Sequence, residues 1–305
     1  MKKQVENNLM ENKNLKLKGK KYVIDSLSEN IFKFCALTAV IALFIIILFV
    51  FYKGLKPFIR EGYSVISFIF GRRWIPSSNI YGILPMILAS VYATLGALII
   101  GVPIGIFSAI FIAEIAPKNI SKLIYFIVEL LAGIPSVLFG IFALSYIVPS
   151  IQRIFNLSKG QSLLSVIIVL SIMMLPTVIS VAVVAIKAVP RQYKEASLAL
   201  GASHIETIFK VILPASKSGV FTAVILGTGR ALGETMAVIL VAGNSPIIPT
   251  SLTDSLRPLT TNIALEMGYA YGVHEEMLFA TGVVLFIFIM LLNLTLSIIA
   301  RKAGK

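Results

Sequence analysis

Cysteine, histidine and charge are all scarce in this chain of 305 residues. The lone Cys35 excludes a disulfide framework, and His204 and His274 lie far apart with no cysteine near either, so no metal site is expected. Asp, Glu, Lys and Arg together make 13% of the residues, against about 25% in a typical soluble domain. There is no G-x-x-x-x-G-K-[ST] loop, so the chain does not bind ATP through a P-loop. No nucleophile motif gathers its Ser, His and acidic residues, so enzymatic activity is not expected, nor is a cofactor. Fixed-period repeats and low-complexity segments are missing as well.

What remains is apolar: 57% of the chain, much of it in runs that exceed the ~20 residues a helix needs to cross a hydrocarbon core. The expected architecture is an all-α polytopic membrane protein with about six transmembrane helices, near residues 31–52, 83–113, 121–148, 162–187, 218–243 and 277–300. Pro103 lies in the second run and is expected to kink, tilt or break that helix. The segments around 114–121 and 149–161 are short, whereas those at 53–82, 188–217 and 244–276 are long enough for small helices. Residues 1–30 form a basic tail with Lys2, Lys3, Lys13, Lys16, Lys18, Lys20 and Lys21, and 301–305 form a second short tail. The first apolar run is too long for a signal-peptide core and lacks a small-residue cleavage site, so it is expected to be an uncleaved anchor.

A formal charge of +13 raises the question of nucleic acid, but most basic residues border apolar runs and act as topology signals. With the N-terminus inside, the inner segments hold more than twice as many Lys and Arg as the outer ones, which orients both termini toward the cytoplasm. Arg72 and Arg73, in the outer segment 53–82, run mildly against this. No nucleic-acid partner is expected. The lysine-rich tail also suits anionic lipid headgroups.

Two stretches carry chemistry. In the inner segment 190–216, Pro190 can open a helix, Gly201 can end it in a left-handed cap, and Ser203 with Glu206 has capping-box spacing for a second helix that stops before Leu213-Pro214. From these residues alone the segment reads as an amphipathic helix pair on the membrane surface. The second stretch, Gly229-Arg-Ala-Leu-Gly-Glu-Thr-Met-Ala-Val238, places Arg230 and Glu234 within an apolar span. An arginine there costs about 2.5–3.5 kcal/mol on insertion scales, and intramembrane ionisable residues mark substrate paths by default. Four residues separate the two, so on one helix they would pair; a self-neutralising pair facing the interior is the alternative. Guanidinium matches an oxyanion, and Glu234 could hold Arg230 when the path is empty, temper its affinity or accept a proton. Glu129, at the start of the third apolar run, reads first as a helix-end charge at the cytoplasmic interface and second as a path residue. Pro135 and Pro176 imply kinks. Gly101 with Gly105, and Gly229 with Gly233, have the small-xxx-small spacing of close helix packing.

Glu195-Ala196-Ser197, Gly201 and the closing Leu213-Pro214 resemble the EAA loop of ABC-importer permeases, with Ser197 in place of the second alanine and Val211 where isoleucine is usual. Glu129-Leu-Leu-Ala-Gly-Ile-Pro-Ser-Val-Leu-Phe-Gly140, Leu175-Pro176-Thr177 and Gly229–Val238 are similar to the phosphate-specific permeases, and Thr235–Val238 with Val241–Asn244 to their C-type subunit. The resemblance covers about residues 80–300 and leaves the lysine tail outside. It implies a type I, MetI-like importer permease fold over 83–300, in a bacterial inner membrane. Glu195, Ala196, Gly201, Leu213 and Pro214 would form the loop that docks on a cytoplasmic ATPase, present in two copies. A second homologous permease, an extracytoplasmic phosphate-binding protein and membrane lipids would be the other partners, and Arg230 and Glu234 would meet the anion. An A-type subunit, a permease for sulfate or molybdate, and a non-transporting scaffold or sensor that binds the ATPase are the competing readings.

Overall fold

The computed structural model describes the backbone of residues 2–304 and the side chains of residues 25–298. The side chains of the seven tail lysines and of Arg301, Lys302 and Lys305 lie outside the described residues. The chain divides into two compact units, residues 1–52 and 53–305.

The first unit belongs to helix α1, Lys2–Arg60. From Asp25 onward this helix is long and apolar enough to span a bilayer. Phe44, Ile46 and Leu48 are all exposed, an arrangement that suits hydrocarbon rather than water.

In the second unit, the segment expected as the loop 53–82 opens with the last turns of α1. Lys53 and Lys56 pair with Glu275 and Glu276, and Gly54 lies against the backbone of Phe279–Ala280 so closely that a Cβ would sit 2.9 Å from Phe279. Helix α2, Val65–Phe70, and a small antiparallel hairpin follow: β1, Trp74–Ile75, and β2, Ile80–Tyr81, with Trp74 opposite Tyr81. Helix α3, Leu84–Ile110, keeps Pro103 inside and ends in a wide π turn, Phe111–Ile115. Pro103 therefore does not break this span.

The third apolar run is not one helix. Helix α4, Lys118–Gly133, stops because Ile134 is extended (ψ 127°) ahead of Pro135, as the residue before a proline prefers. Helix α5, Ser136–Phe142, a π turn at Ala143–Ile147 and α6, Val148–Ile154, then form the span-length segment. Helix α7, Leu163–Lys187, holds Pro176 in its interior. Short helices α8, Arg191–Ala199, α9, His204–Thr207, and α10, Leu213–Ala215, lead into α11, Lys217–Gly233. Helix α12, Met236–Val241, helix α13, Leu259–Glu266, and helix α14, Val273–Gly304, complete the chain. Among the described residues, five helices are long and apolar enough to cross a membrane, or six if the bent pair His204–Ala215 and Lys217–Gly233 forms one span.

Helix α7 is the central post. Glycines let α3 and α11 approach it: Gly101 faces Met174, while Gly105 and Gly227 both face Val178, all with a virtual Cβ under 3 Å from the neighbour. Their missing side chains are what make the contact possible. This core includes Ala93, Ala97, Val166, Met174, Val178 and Ala223. A second core, with Trp74, Tyr81, Ile83, Met86, Leu259 and Met277, gathers the hairpin, the start of α3, α13 and α14. Gly229 and Gly233 behave differently from the expectation of close packing: among the described residues, nothing lies within 4 Å of a Cβ at either.

Candidate functional site

The Arg230–Glu234 stretch is not continuous helix. Helix α11 ends at Gly233, Glu234 is extended (φ −69°, ψ 129°), and α12 starts at Met236. The expected ion pair is consequently absent, because the break swings the carboxylate away from the face that carries Arg230. Glu234 Oε1 instead accepts the Ala237 backbone N–H at 3.1 Å, satisfying a donor in the first turn of α12 that the helix itself leaves free. The Glu234 carbonyl accepts the Thr260 hydroxyl at 3.1 Å.

Arg230 is half-buried and reaches across to α7, where Nη1 donates to Thr177 Oγ1 at 3.3 Å. Thr177 follows Pro176 in α7. The remaining guanidinium donors make no bond among the described residues, and the open space at Gly229 and Gly233 lies on the same short stretch. A delocalised cation with unused planar donors, held by a single hydroxyl beside open space, can take an oxyanion.

Glu129 does not join this group. It is exposed on α4, a helix packed on α7 and on the π turn after α3, and makes no hydrogen bond or ion pair among the described residues.

The segment 190–216 folds much as its residues dictate. Pro190 precedes the first residue of α8. Gly201 takes φ +87°, its N–H donates to the Leu198 carbonyl, and the Ala202 N–H reaches the Ser197 carbonyl, closing the helix end. Ser203 and Glu206 form the capping box. The second helix, however, does not stop before Leu213-Pro214: a π turn at Ile208–Ile212 carries it into α10, and only then does the chain bend by 71° into α11. Pro214 stands directly after the π turn, in the short α10 that ends at the bend.

Two contacts brace this elbow, and spacing alone did not reveal them. Ser197 Oγ lies 2.9 Å from Thr207 Oγ1 and joins α8 to α9. Glu114, in the π turn after α3, accepts Lys194 Nζ at 2.6 Å through its carboxylate, and its carbonyl lies 3.1 Å from His204 Nε2. Glu195 and Ala196 are exposed, as are Tyr193, Leu198, Leu200 and Ile205, with Leu200 at 90%. Apolar side chains so fully presented at a helical tip are what a docking partner would cover.

A third cluster was also missed. Glu266 is 5% exposed and accepts Arg257 Nη1 at 2.6 Å and Trp74 Nε1 at 2.8 Å, with His274 Nε2 2.8 Å away. Arg257 Nε also donates to the Asn244 carbonyl. Nothing in the sequence links Trp74 to residues so far along the chain. No group of three or more His, Cys, Asp or Glu side chains suited to a metal occurs among the described residues.

Glycine-packed helices around a central post, a broken span carrying an arginine, and a braced helical elbow define a multi-pass membrane permease subunit. The chain belongs to the binding-protein-dependent transport system inner membrane component family, whose model matches residues 101–305. It is 41% identical over 267 residues to the probable ABC transporter permease protein YqgH of Bacillus subtilis (strain 168), covering 85% of this chain and 86% of that one. It is 34% identical over 263 residues to the phosphate transport system permease protein PstC of Xylella fastidiosa (strain 9a5c), covering 79% and 81%. Among solved structures, a chain of a bacterial alginate ABC transporter, crystallised with an alginate pentasaccharide-bound periplasmic protein, superposes with a TM-score of 0.65 at 16% identity, over 92% of this chain and 98% of its own. The fold is that of the type I ABC importer permeases.

Proposed function

We propose that this chain is the C-type permease subunit of an ATP-driven importer for inorganic phosphate in a bacterial inner membrane, with both termini cytoplasmic. The observation that carries the reading is Arg230: a half-buried guanidinium at a helix break, bonded to one threonine hydroxyl and otherwise unengaged. The phosphate-transport relatives support the choice of anion. Glu234 serves there as a capping carboxylate whose charge tempers anion affinity. A homologous permease would close the path on the side left open at Gly229 and Gly233. Two copies of a cytoplasmic ATPase would engage the elbows of the two permeases, here through Glu195, Ala196, Gly201 and the apolar tip around Leu200. An extracytoplasmic binding protein would deliver phosphate to the opposite face. ATP hydrolysis would belong to the partner, and its movement would enter this chain through Leu213-Pro214 and the 71° bend into α11.

The deciding experiment is uptake of labelled phosphate by the reconstituted complex, with sulfate and molybdate as competitors. Phosphate alone should compete efficiently, and Arg230→Gln should abolish uptake while the complex still assembles. Normal uptake by an assembled Arg230→Gln complex would remove the path role, and stronger competition by sulfate or molybdate would remove the phosphate assignment.

A further inference from the structure

A cavity of about 740 Å³ opens between the π turn after α3, the start of α4, the end of α7 and the elbow helix α8. Its charged lining is uneven: Lys118, Lys187, Arg191 and Lys194 against Glu114 and Glu195. Lys194 is already committed to Glu114. Among the described residues, Lys118, Lys187 and Arg191 form no ion pair, and Lys187 makes only a distant approach to the Tyr125 ring, 6.0 Å from its centroid. The first turn of α8, which carries no side-chain cap, borders the same space through Pro190 and Arg191. Ile112, Ile186 and Ile212 supply an apolar wall.

Unpaired lysines near a membrane surface are usually just solvated topology signals. Here they converge, from three separate elements, on one concave space that also borders the free amide end of a helix. Lys118, Lys187 and Arg191 are each exposed at the mouth of this space, and cationic side chains beside helix-end amides favour one ligand, a compact multivalent anion with several acceptor oxygens. We propose that this cavity binds a phosphate group, either free inorganic phosphate or an anionic lipid headgroup, between α4, α7 and the elbow. Occupancy would bridge α8 to the two long helices and so bias how freely the elbow moves. The inference does not depend on the anion path at Arg230.

The test uses the assembled complex, with its partner permease and ATPase, in phosphatidylcholine nanodiscs and carrying Arg230→Gln, so that phosphate bound elsewhere is not counted. Saturable binding of labelled inorganic phosphate should be weakened about tenfold or more by Lys118→Gln with Lys187→Gln, and largely kept by the corresponding arginine pair. A second set of discs adds phosphatidylglycerol. If the headgroup is the occupant, phosphatidylglycerol will compete with phosphate and be retained through purification by the unsubstituted cavity, but not by the Gln pair. If free phosphate is the occupant, phosphatidylglycerol will leave its binding unchanged. The proposal falls if the complex with an unsubstituted cavity shows neither saturable phosphate binding nor phosphatidylglycerol retention. It falls equally if both persist undiminished in an assembled Gln pair.

Discussion

Arg230 and Glu234 stand four residues apart and turn their backs on each other: the guanidinium bonds Thr177 on α7, while the carboxylate caps Ala237 in α12. The charges are thus separated by a break in the span rather than neutralised along one helix face. Each is free to act on its own.

That separation gives Glu234 two roles that substitution can pull apart. Glu234→Gln keeps an oxygen for the Ala237 N–H and removes the charge, whereas Glu234→Ala removes both. Loss of the cap should cost about 1 kcal/mol and appear in Glu234→Ala alone, as a lower melting temperature of the purified complex. If charge tempers anion release, both variants should slow phosphate uptake while binding the anion more tightly. Uptake and anion affinity unchanged in Glu234→Gln would leave the carboxylate a purely structural cap.

Gly201 is set by backbone geometry rather than by crowding. At φ +87° a side chain is strained, yet a Cβ there meets nothing within 4 Å. Gly201→Leu should therefore cost about 1–2 kcal/mol locally and reduce co-purification of the ATPase. Gly201→Asn, which tolerates left-handed conformations better, should retain more of it. Equal ATPase recovery with Gly, Asn and Leu at this position would argue against a docking role for the turn.

Glu114 ties the elbow to α3 through Lys194, and its backbone does so through His204. Glu114→Ala removes the first tie and leaves Lys194 partly buried without a partner, at about 1–3 kcal/mol. With His204→Ala added, both ties go. The double variant should still hydrolyse ATP but move less phosphate per ATP consumed, which parallel measurement of both rates will detect. An unchanged ratio would mean that force reaches the spans by another route.

Asp254 carries a pH dependence whose sign is fixed by its partners. Hydrogen bonds from the Thr250 N–H, the Thr250 hydroxyl and the Ser251 N–H hold its carboxyl below the usual carboxylate range. A depressed folded-state pKa stabilises the turn above the unfolded value of about 3.9, and that contribution is lost as pH falls through the folded value. The same turn accepts the N–H groups of Leu163 and Leu164 through the carbonyls of Asp254 and Leu252, closing the start of α7. Acidification, or Asp254→Asn at neutral pH, should therefore speed hydrogen exchange at Leu163 and Leu164, after correction for intrinsic rates. No change in their protection would show that the α7 terminus holds without the carboxylate.

Local signals in the sequence located the apolar spans, the Gly201 cap and the Ser203–Glu206 capping box, because each is decided by residues a few positions apart. The breaks were harder to read. Apolar residues flank Ile134-Pro135 and Glu234-Thr235 on both sides, so a count over a span-length window joins what backbone geometry divides. A glutamate that caps the next helix looks, in sequence, like a glutamate that pairs with the arginine one turn back. Likewise, the small-xxx-small pattern found its packing partner at Gly101 and Gly105 but none among the described residues at Gly229 and Gly233. The ties of Glu114 to Lys194 and of Glu266 to Trp74 were invisible for a different reason: these partners lie 80 and 192 residues away in the chain, and only the assembled helices bring them together.

The carboxylate of Glu266 is a keystone shared by three pieces of chain. The indole of Trp74 in the hairpin, the guanidinium of Arg257 before α13 and the imidazole of His274 at the start of α14 all rest on its two oxygens. Peeling any one piece away would strip a partner from a nearly buried charge, so the three resist moving one at a time. Through that one carboxylate the hairpin is tied to the first turn of the last helix.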